Sequence, residues 1–212
     1  MDAGCGLTKA LGIQAGANVR PDCKKDLQGG GETMQGKERC LIQSDNESGL
    51  AMYAFTPSVF CLVPPRIKSN FSILDRAKLM LRVLRGYTVY YQTDGEKMVS
   101  YCFLKRNYLC KYAFLKKKDV LINPYYVSPE YRGRGLGGKL IEAAIADREE
   151  AWETVYAVVK EDNLPSIRTL EKLNFVKLGF SDKSGWSHKL TDRQTKLPVF
   201  CLTRSAQQEK KI

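Results

Sequence analysis

The chain has 212 residues, with 34 Lys and Arg against 23 Asp and Glu and a formal net charge of +11. That length suffices for one domain with a full core and an appendage, and the positive surplus favours anionic partners such as nucleic acid, a membrane surface or a phosphorylated ligand. No nucleic-acid motif or aromatic-interleaved basic groove is present, and no apolar run is long enough to span a membrane or form a secretory leader, so a cytoplasmic protein without a nucleic-acid partner is expected.

In chain order, residues 1–48 are rich in Gly, Gln and charge. Leu7, Leu11 and Ile13 build no lasting face, so this stretch reads as an N-terminal extension. A domain over 49–206 and a fraying tail over 207–212 complete the expected organisation. Ala51–Phe55 and Val59–Val63 are short strand candidates ahead of Pro64-Pro65. Ser72 then caps a helix in which Ile73, Leu74, Ala77, Leu81 and Leu84 share a face, with Arg76, Lys78, Arg82 and Arg85 outside. Tyr87–Gln92 and Met98–Phe103 flank Asp94-Gly95, a hairpin signal.

Beyond Lys116-Lys-Lys118 comes the apolar strand Val120–Val127. The next helix turns Leu140, Ile141, Ala144, Ile145 and Trp152 inward, with Glu142, Asp147, Glu149 and Glu150 opposite. Thr154–Val159 reads as a buried strand, which a right-handed crossover sets parallel to Val120–Val127. Asn163–Phe175 is helical. Phe175–Phe180 and Pro198–Thr203 form a closing strand pair, with Gly185-Trp186 and His188 in the long loop between them.

The seven cysteines are odd in number and contain no C-x-x-C pair. Neither a zinc site nor a disulfide framework is expected, and no metal cofactor. Cys61, Cys102 and Cys201 lie in apolar runs and read as small core residues.

The stretch Val127-Ser-Pro-Glu-Tyr-Arg-Gly-Arg-Gly-Leu-Gly-Gly-Lys139 joins strand to helix. Gly133, Gly135, Gly137 and Gly138 lack the Cβ that would keep a ligand off the backbone, so amide N–H groups can face outward. The helix dipole and the charges of Arg132, Arg134 and Lys139 add attraction for a pyrophosphate. Gly133, Gly135 and Gly138 satisfy G-x-G-x-x-G, a dinucleotide pattern. That reading expects the strand to run straight into the first glycine and an acidic residue at the end of the next strand. Here Pro129–Arg132 intervenes and Glu161-Asp162 lies far downstream. The longer V-x-P-x-x-R-G-x-G-x-G pattern is the more specific one.

That longer pattern resembles the coenzyme A loop of the GNAT superfamily of acyl-CoA-dependent N-acyltransferases. Asn163-Leu-Pro-Ser166, with Glu171-Lys-Leu-Asn-Phe175, resembles the family's N-x-x-S helix and its E-K-x-G-F ending. The likeness spans Ile73 to Thr203. It implies an α+β fold, a mixed and mainly antiparallel sheet flanked by helices, whose central parallel strands, Val120–Val127 and Thr154–Val159, splay apart. Two departures stand out. Asn174 replaces the glycine of the ending, which a left-handed cap tolerates, and Leu170 stands where many members carry a tyrosine.

The resemblance further implies acetyl-CoA as cosubstrate and direct attack of a primary amine on its thioester. Its cofactor residues would be Tyr126, Val127, Arg132, Gly133, Arg134, Gly135, Leu136, Gly137, Gly138, Lys139, Asn163 and Ser166. A backbone N–H near Val127 would hold the oxyanion. Asn163 is equally an N-cap by its residue type, and Ser166 is more often a helix-start residue than a ligand. Leu170 cannot act as the acid. The catalytic candidates are Tyr125 or Tyr126, of which alternation points one into the cleft, and His188, the sole histidine. Cys102 and Cys110 have no partner base in sequence.

Tyr112-Ala-Phe-Leu115, Asp119–Ile122 and the Val127–Gly133 run resemble GNAT proteins linked to bacterial surface-polysaccharide pathways, which implies a small-molecule acceptor such as an amino sugar. A protein or peptide acceptor and a non-catalytic acetyl-CoA-binding module remain as alternatives. A monomer or homodimer is expected.

Overall fold

The computed structural model describes residues 37–42, 49–58, 60–62, 64, 86–95, 97–106, 111–147 and 152–204. The helix expected over Ser72–Arg85, the tail 207–212 and Cys5, Cys23 and Cys110 lie outside them. Strands are Lys37–Ile42 (β1), Ala51–Thr56 (β2), Tyr87–Asp94 (β3), Lys97–Arg106 (β4), Val120–Val127 (β5), Thr154–Val158 (β6), Val176–Ser184 (β7), Ser187–Thr191 (β8) and Pro198–Thr203 (β9). Helices are Leu136–Ala146 (α1) and Leu164–Lys172 (α2), with a 3-10 turn at Pro129–Tyr131. Among the described residues the strands form one sheet in the order β1-β2-β3-β4-β5-β6-β9-β7-β8. The β5–β6 pair is parallel and the other neighbours antiparallel. This is the mixed α+β architecture expected from the sequence.

Alternation along β5 separates two cores. Val120 and Ile122 join Val155 and Ala157 of β6, α1's Leu140, Ile141, Ala144 and Ile145, and Leu170 of α2. On the opposite face, Leu121 packs with Tyr112, Leu115, Tyr156 and Val158. Tyr126 lies against an aromatic cluster on that same face, made by Phe55, Tyr87, Tyr91, Tyr101 and Phe103. Period-2 burial on both faces explains why these strands read as nearly continuous apolar runs. The β3–β4 hairpin closes at Asp94↔Lys97, with Gly95 at φ +56°.

Several expectations need correction. Val59–Val63 does not continue as a strand: of its described part, 60–62, none is extended ladder. Ser58 and Cys61 instead exchange backbone bonds of 3.0 and 3.2 Å in a tight loop, leaving Phe60 exposed. A strand needs a free edge, and both edges of β2 are taken, by β3 and by Lys37–Ile42 from the extension that reads as unpatterned. Edge strands carry polar residues, which hides them from hydrophobic pattern.

Trp152 is not on the described part of α1, which ends at Ala146 with Asp147 as C-cap; it is buried in the same core just before β6. Asp147 is not on a solvated face either. Its carboxylate accepts from Tyr90 Oη at 3.0 Å and pairs with Arg39 at 2.9 Å. His188 lies on a strand, β8, and not in a loop, because Gly185 at φ +60° turns 181–191 into a hairpin. Cys102 is fully buried as expected, whereas Cys61 and Cys201 are half-buried.

Candidate functional site

Parallel pairing of β5 with β6 covers Val120↔Val155, Leu121↔Tyr156 and Ile122↔Ala157, and then stops. At that point β5 is irregular on its other side too. Cys102 pairs with Tyr125 and Leu104 with Ile122, so Asn123 and Pro124 together face Phe103. This is a bulge, and it sets a proline, which has no N–H to donate, where the ladder is interrupted. Beyond it β5 stays bonded to β4 and leaves β6. A gap opens in the middle of the sheet.

Backbone groups of β5 face that gap. Ser128 N–H donates to Val99 O at 2.8 Å. Antiparallel alternation then turns the N–H groups of Val127 and Tyr125 away from β4, toward the space β6 has vacated. Arg132 Nε donates to Val127 O at 3.1 Å and folds the following turn back against the strand end. Tyr131 N–H to Ser128 O at 2.9 Å and Arg132 N–H to Pro129 O at 3.2 Å complete the turn.

At the start of α1, Gly135 is the N-cap at φ +73° and offers no side chain to the helix amides. The first intrahelical bond runs from Lys139 N–H to Gly135 O at 3.1 Å, so the amides of Leu136, Gly137 and Gly138 have no helical acceptor. A Cβ on Gly133 or Gly135 would meet nothing within 4 Å, whereas one on Gly137 would sit 3.3 Å from both Tyr125 Cε2 and Val127 Cγ2. The helix start is therefore pressed onto β5 on one side and open on the other. Leu136, packed with Leu50 and Val99, anchors it. The Arg134 guanidinium lies 5.2 Å from the Tyr131 ring and that of Arg132 5.9 Å from the Tyr126 ring, which fixes both charges on the turn that leads into α1. Tyr131 Oη donates to Asp94 at 2.7 Å, and Lys97 pairs with Glu130, bracing the turn from the β3–β4 hairpin.

The two tyrosines of β5 part company. Tyr125 turns toward α1 and α2, where its hydroxyl meets those of Ser166 and Thr169; burial raises its pKa and these bonds partly offset the rise. Tyr126 turns to the other face and stacks on Tyr101 with ring centroids 5.6 Å apart. Burial, with Tyr126 beside it, pushes the Tyr101 phenol up to about 12. Asn163 Oδ1 accepts from Ser166 N–H at 3.3 Å, so the capping role read from its residue type is realised. Leu170 is wholly buried. Burial pushes the Cys102 thiol far up.

The structure thus gathers Val127, Arg132 to Lys139, Tyr125, Ser166 and, through its cap, Asn163 around one side of the gap. Tyr126 and His188 lie on the other face. His188 is nearly buried, with Nδ1 2.9 Å from Ser181 Oγ and its ring 4.9 Å from that of Tyr112. Its pKa is lowered by burial first and then by Lys111 and Lys183. Thr169 escaped the sequence reading. Its spacing of three from Ser166 on a helix was the available signal. Among the described residues no three His, Cys, Asp or Glu side chains group to hold a metal, and no helix is long and apolar enough to cross a membrane.

The sheet thus parts beside a glycine-rich helix start whose first amides are free of helical acceptors. Residues 65–175, just over half of the chain, match the acetyltransferase (GNAT) family model, and the chain belongs to that family. No curated protein matches the chain. Among solved structures it is similar to yncA from Salmonella typhimurium with its cofactor acetyl-CoA, at 20% identity over 64% of this chain and 75% of that one, TM-score 0.46. It is also similar to the aminoglycoside acetyltransferase AAC(6')-Ib with coenzyme A, at 17% over 63% and 75%, TM-score 0.47. NAA60 of Arabidopsis thaliana with a bisubstrate analogue matches at 17% over 60% and 83%, TM-score 0.44.

Proposed function

We propose that the chain is an acetyl-CoA-dependent N-acetyltransferase that acetylates a primary amine on a small molecule, with amino sugars, including those of surface-polysaccharide pathways, as first candidates. The observation that carries this reading is the open amide cradle of Gly133 to Gly138, set at the point where β5 leaves β6. Family membership supports acyl transfer as the reaction class.

The cradle fits a pyrophosphate on this structure's own terms. It has helix amides without acceptors, a glycine N-cap, no room lost to Cβ atoms on the open side, and Arg132, Arg134 and Lys139 around it. Acetyl-CoA, when bound, supplies an activated acetyl thioester. Asn163 and Ser166 would then flank its arm, and the Val127 N–H, aimed into the gap, would hydrogen-bond the oxyanion that develops on the acyl carbonyl. Holding donor and amine together supplies much of the rate by proximity. Tyr125 stays protonated because burial raises its pKa, and it approaches the cradle side, so it is the group we assign to protonate the departing thiolate. Tyr126 and His188 face the acceptor side, where they would position the amine, whose proton passes to solvent.

The test is calorimetric titration of the purified full chain with acetyl-CoA, with NAD in parallel, followed by thiol release over a panel of amino sugars, diamines and peptides. Saturable acetyl-CoA binding, lost in Gly135→Glu, and turnover of a small amine are expected. Binding without turnover of any amine would replace the enzyme with a non-catalytic acetyl-CoA-binding module, for which the buried Leu170 speaks. Peptides outpacing sugars would move the acceptor to a protein. If neither acetyl-CoA nor NAD binds, the proposal fails.

A further inference from the structure

On the face of the sheet opposite the cradle, two lysines from different elements close around one imidazole. His188 N–H donates to Lys111 O at 2.6 Å, and Ala113 N–H donates to His188 O at 2.9 Å, so β8 and the segment before β5 are fastened together at this point. Lys183 is the cross-strand partner of His188 on β7, which puts both side chains on one face of the hairpin. The imidazole itself is held in place, with Nδ1 engaged by Ser181 Oγ and the ring against Tyr112. In the tautomer where Ser181 donates to Nδ1, the remaining nitrogen, Nε2, carries a proton it can offer to a ligand.

Positive charge outweighs negative at this spot, with Lys111 and Lys183 each acting on His188 more strongly than Asp182 does. Among the described residues no carboxylate pairs with Lys111 or Lys183. The Lys111 ammonium lies 5.4 Å from the Tyr112 ring centroid instead. Asp182, next in sequence to Lys183, points to the other face of the hairpin opposite Lys189, and its carboxylate offsets part of the lysines' effect on His188. Two ammonium groups beside a nearly buried imidazole disfavour its protonation, and the lowered pKa of His188 reflects this after burial. Through the Tyr112 ring the cluster reaches the paired stretch just before the gap. Tyr112 packs on Leu121, one residue before the last β5–β6 pair, and Phe114 contacts Tyr156, the partner of Leu121, with rings 5.5 Å apart.

We propose that Lys111, Lys183 and the outer nitrogen of His188 form a binding site for a carboxylate or phosphate group, and that this group belongs to the acceptor amine. The second half rests on the acetyl-transfer reading; the first does not. An anion seated there would offset the two ammonium charges and accept a hydrogen bond from Nε2–H, with the Tyr112 ring between it and the paired end of β5.

His188 is the only histidine in the chain, so its imidazole proton resonances form a single reporter. The full chain would be titrated with inorganic phosphate and, separately, acetate, with chloride at matched ionic strength as control. We expect a saturable shift of the His188 signals, with its titration midpoint moving upward, because a nearby anion favours imidazolium. The double variant Lys111→Ala/Lys183→Ala should lose about tenfold or more in apparent affinity for that anion, the scale of a lost charge-assisted contact. Lys183→Glu alone should abolish the response while leaving the spectrum otherwise folded.

Phosphate and acetate arms distinguish which anion the site takes. A response no larger than that of chloride, or one that survives the double variant, overturns the site. For the acceptor, kcat/KM would be compared within matched pairs: glucosamine 6-phosphate with glucosamine, and 4-aminobutyrate with putrescine. The anionic member should be preferred, and the double variant should cut that preference about tenfold or more with acetyl-CoA affinity unchanged. Equal loss on both members of each pair overturns the acceptor assignment. If acetyl-CoA does not bind at all, the acetyl-transfer reading and the acceptor assignment fall together, while the histidine signal still decides the anion site.

Discussion

Leu170 puts hydrocarbon at the helix position where a tyrosine is common in the family, and Tyr125 brings a phenol to the same helix from the strand below. Its hydroxyl meets Ser166 and Thr169, one on each side of a helical turn. Tyr125→Phe should therefore lower kcat by about tenfold or more while acetyl-CoA binding, measured by calorimetry, stays the same. Since the phenol must be protonated to act and its pKa is raised, kcat should hold through neutral pH and fall only above the ordinary tyrosine range. An alkaline limb below pH 9 would exclude Tyr125 as the acid. Tyr101 makes a prediction about stability. Its folded pKa, about 12, exceeds the ordinary value of 10.0, so its contribution is complete below pH 10 and is lost as pH rises toward 12. Denaturant midpoints of Tyr101→Phe against the parent chain should show a shallower alkaline loss. Strand alternation told from sequence that Tyr125 and Tyr126 point opposite ways. It could not tell which way faces α1, because that depends on the bulge at Asn123-Pro124.

At the scale of elements, the two helix ends beside the gap are set by single residues. Gly135 at φ +73° has open space where a Cβ would go, so Gly135→Ala costs backbone strain and no clash, about 1 kcal/mol of stability by chemical denaturation. It should weaken acetyl-CoA binding less than Gly135→Glu, which also fills the cradle. At the far end of α2, Asn174 adopts φ +62°, Phe175 N–H reaches Leu170 O at 3.0 Å and Asn174 N–H reaches Glu171 O at 2.9 Å. That pattern is a Schellman cap. Asn174→Ala should cost about 1 kcal/mol and Asn174→Gly should be close to neutral, as read by thermal midpoint. Both ends were legible in sequence because caps and tight turns are local, needing particular residue types within a few positions. Strands β1 and β8 were not. Each lies at a sheet edge and carries polar residues such as Glu38 and Arg39 or His188 and Lys189, so only the neighbouring strand reveals it.

For the molecule as a whole, Asp147 ties three distant segments together: the end of α1, Tyr90 on β3 and Arg39 on β1. Asp147→Ala should destabilise by about 1–2 kcal/mol in urea through the lost Tyr90 hydrogen bond, and Asp147→Asn should recover part of that through the retained hydrogen bond. The exposed arm to Arg39 contributes less. Ligand linkage offers a check on the whole site: acetyl-CoA at a hundred times its Kd should add about 2.7 kcal/mol to the unfolding free energy. A parent chain that shows no such gain would lack the site. The amino-acid sequence by itself determined the cradle, the strand–helix order around it and membership expectations, because each rests on spacing within a dozen residues. Tertiary structure alone decided where β5 leaves β6, which tyrosine turns to α2, and that Lys111 meets His188 across more than seventy residues of chain. Those are pairings between remote segments, and no local pattern encodes them.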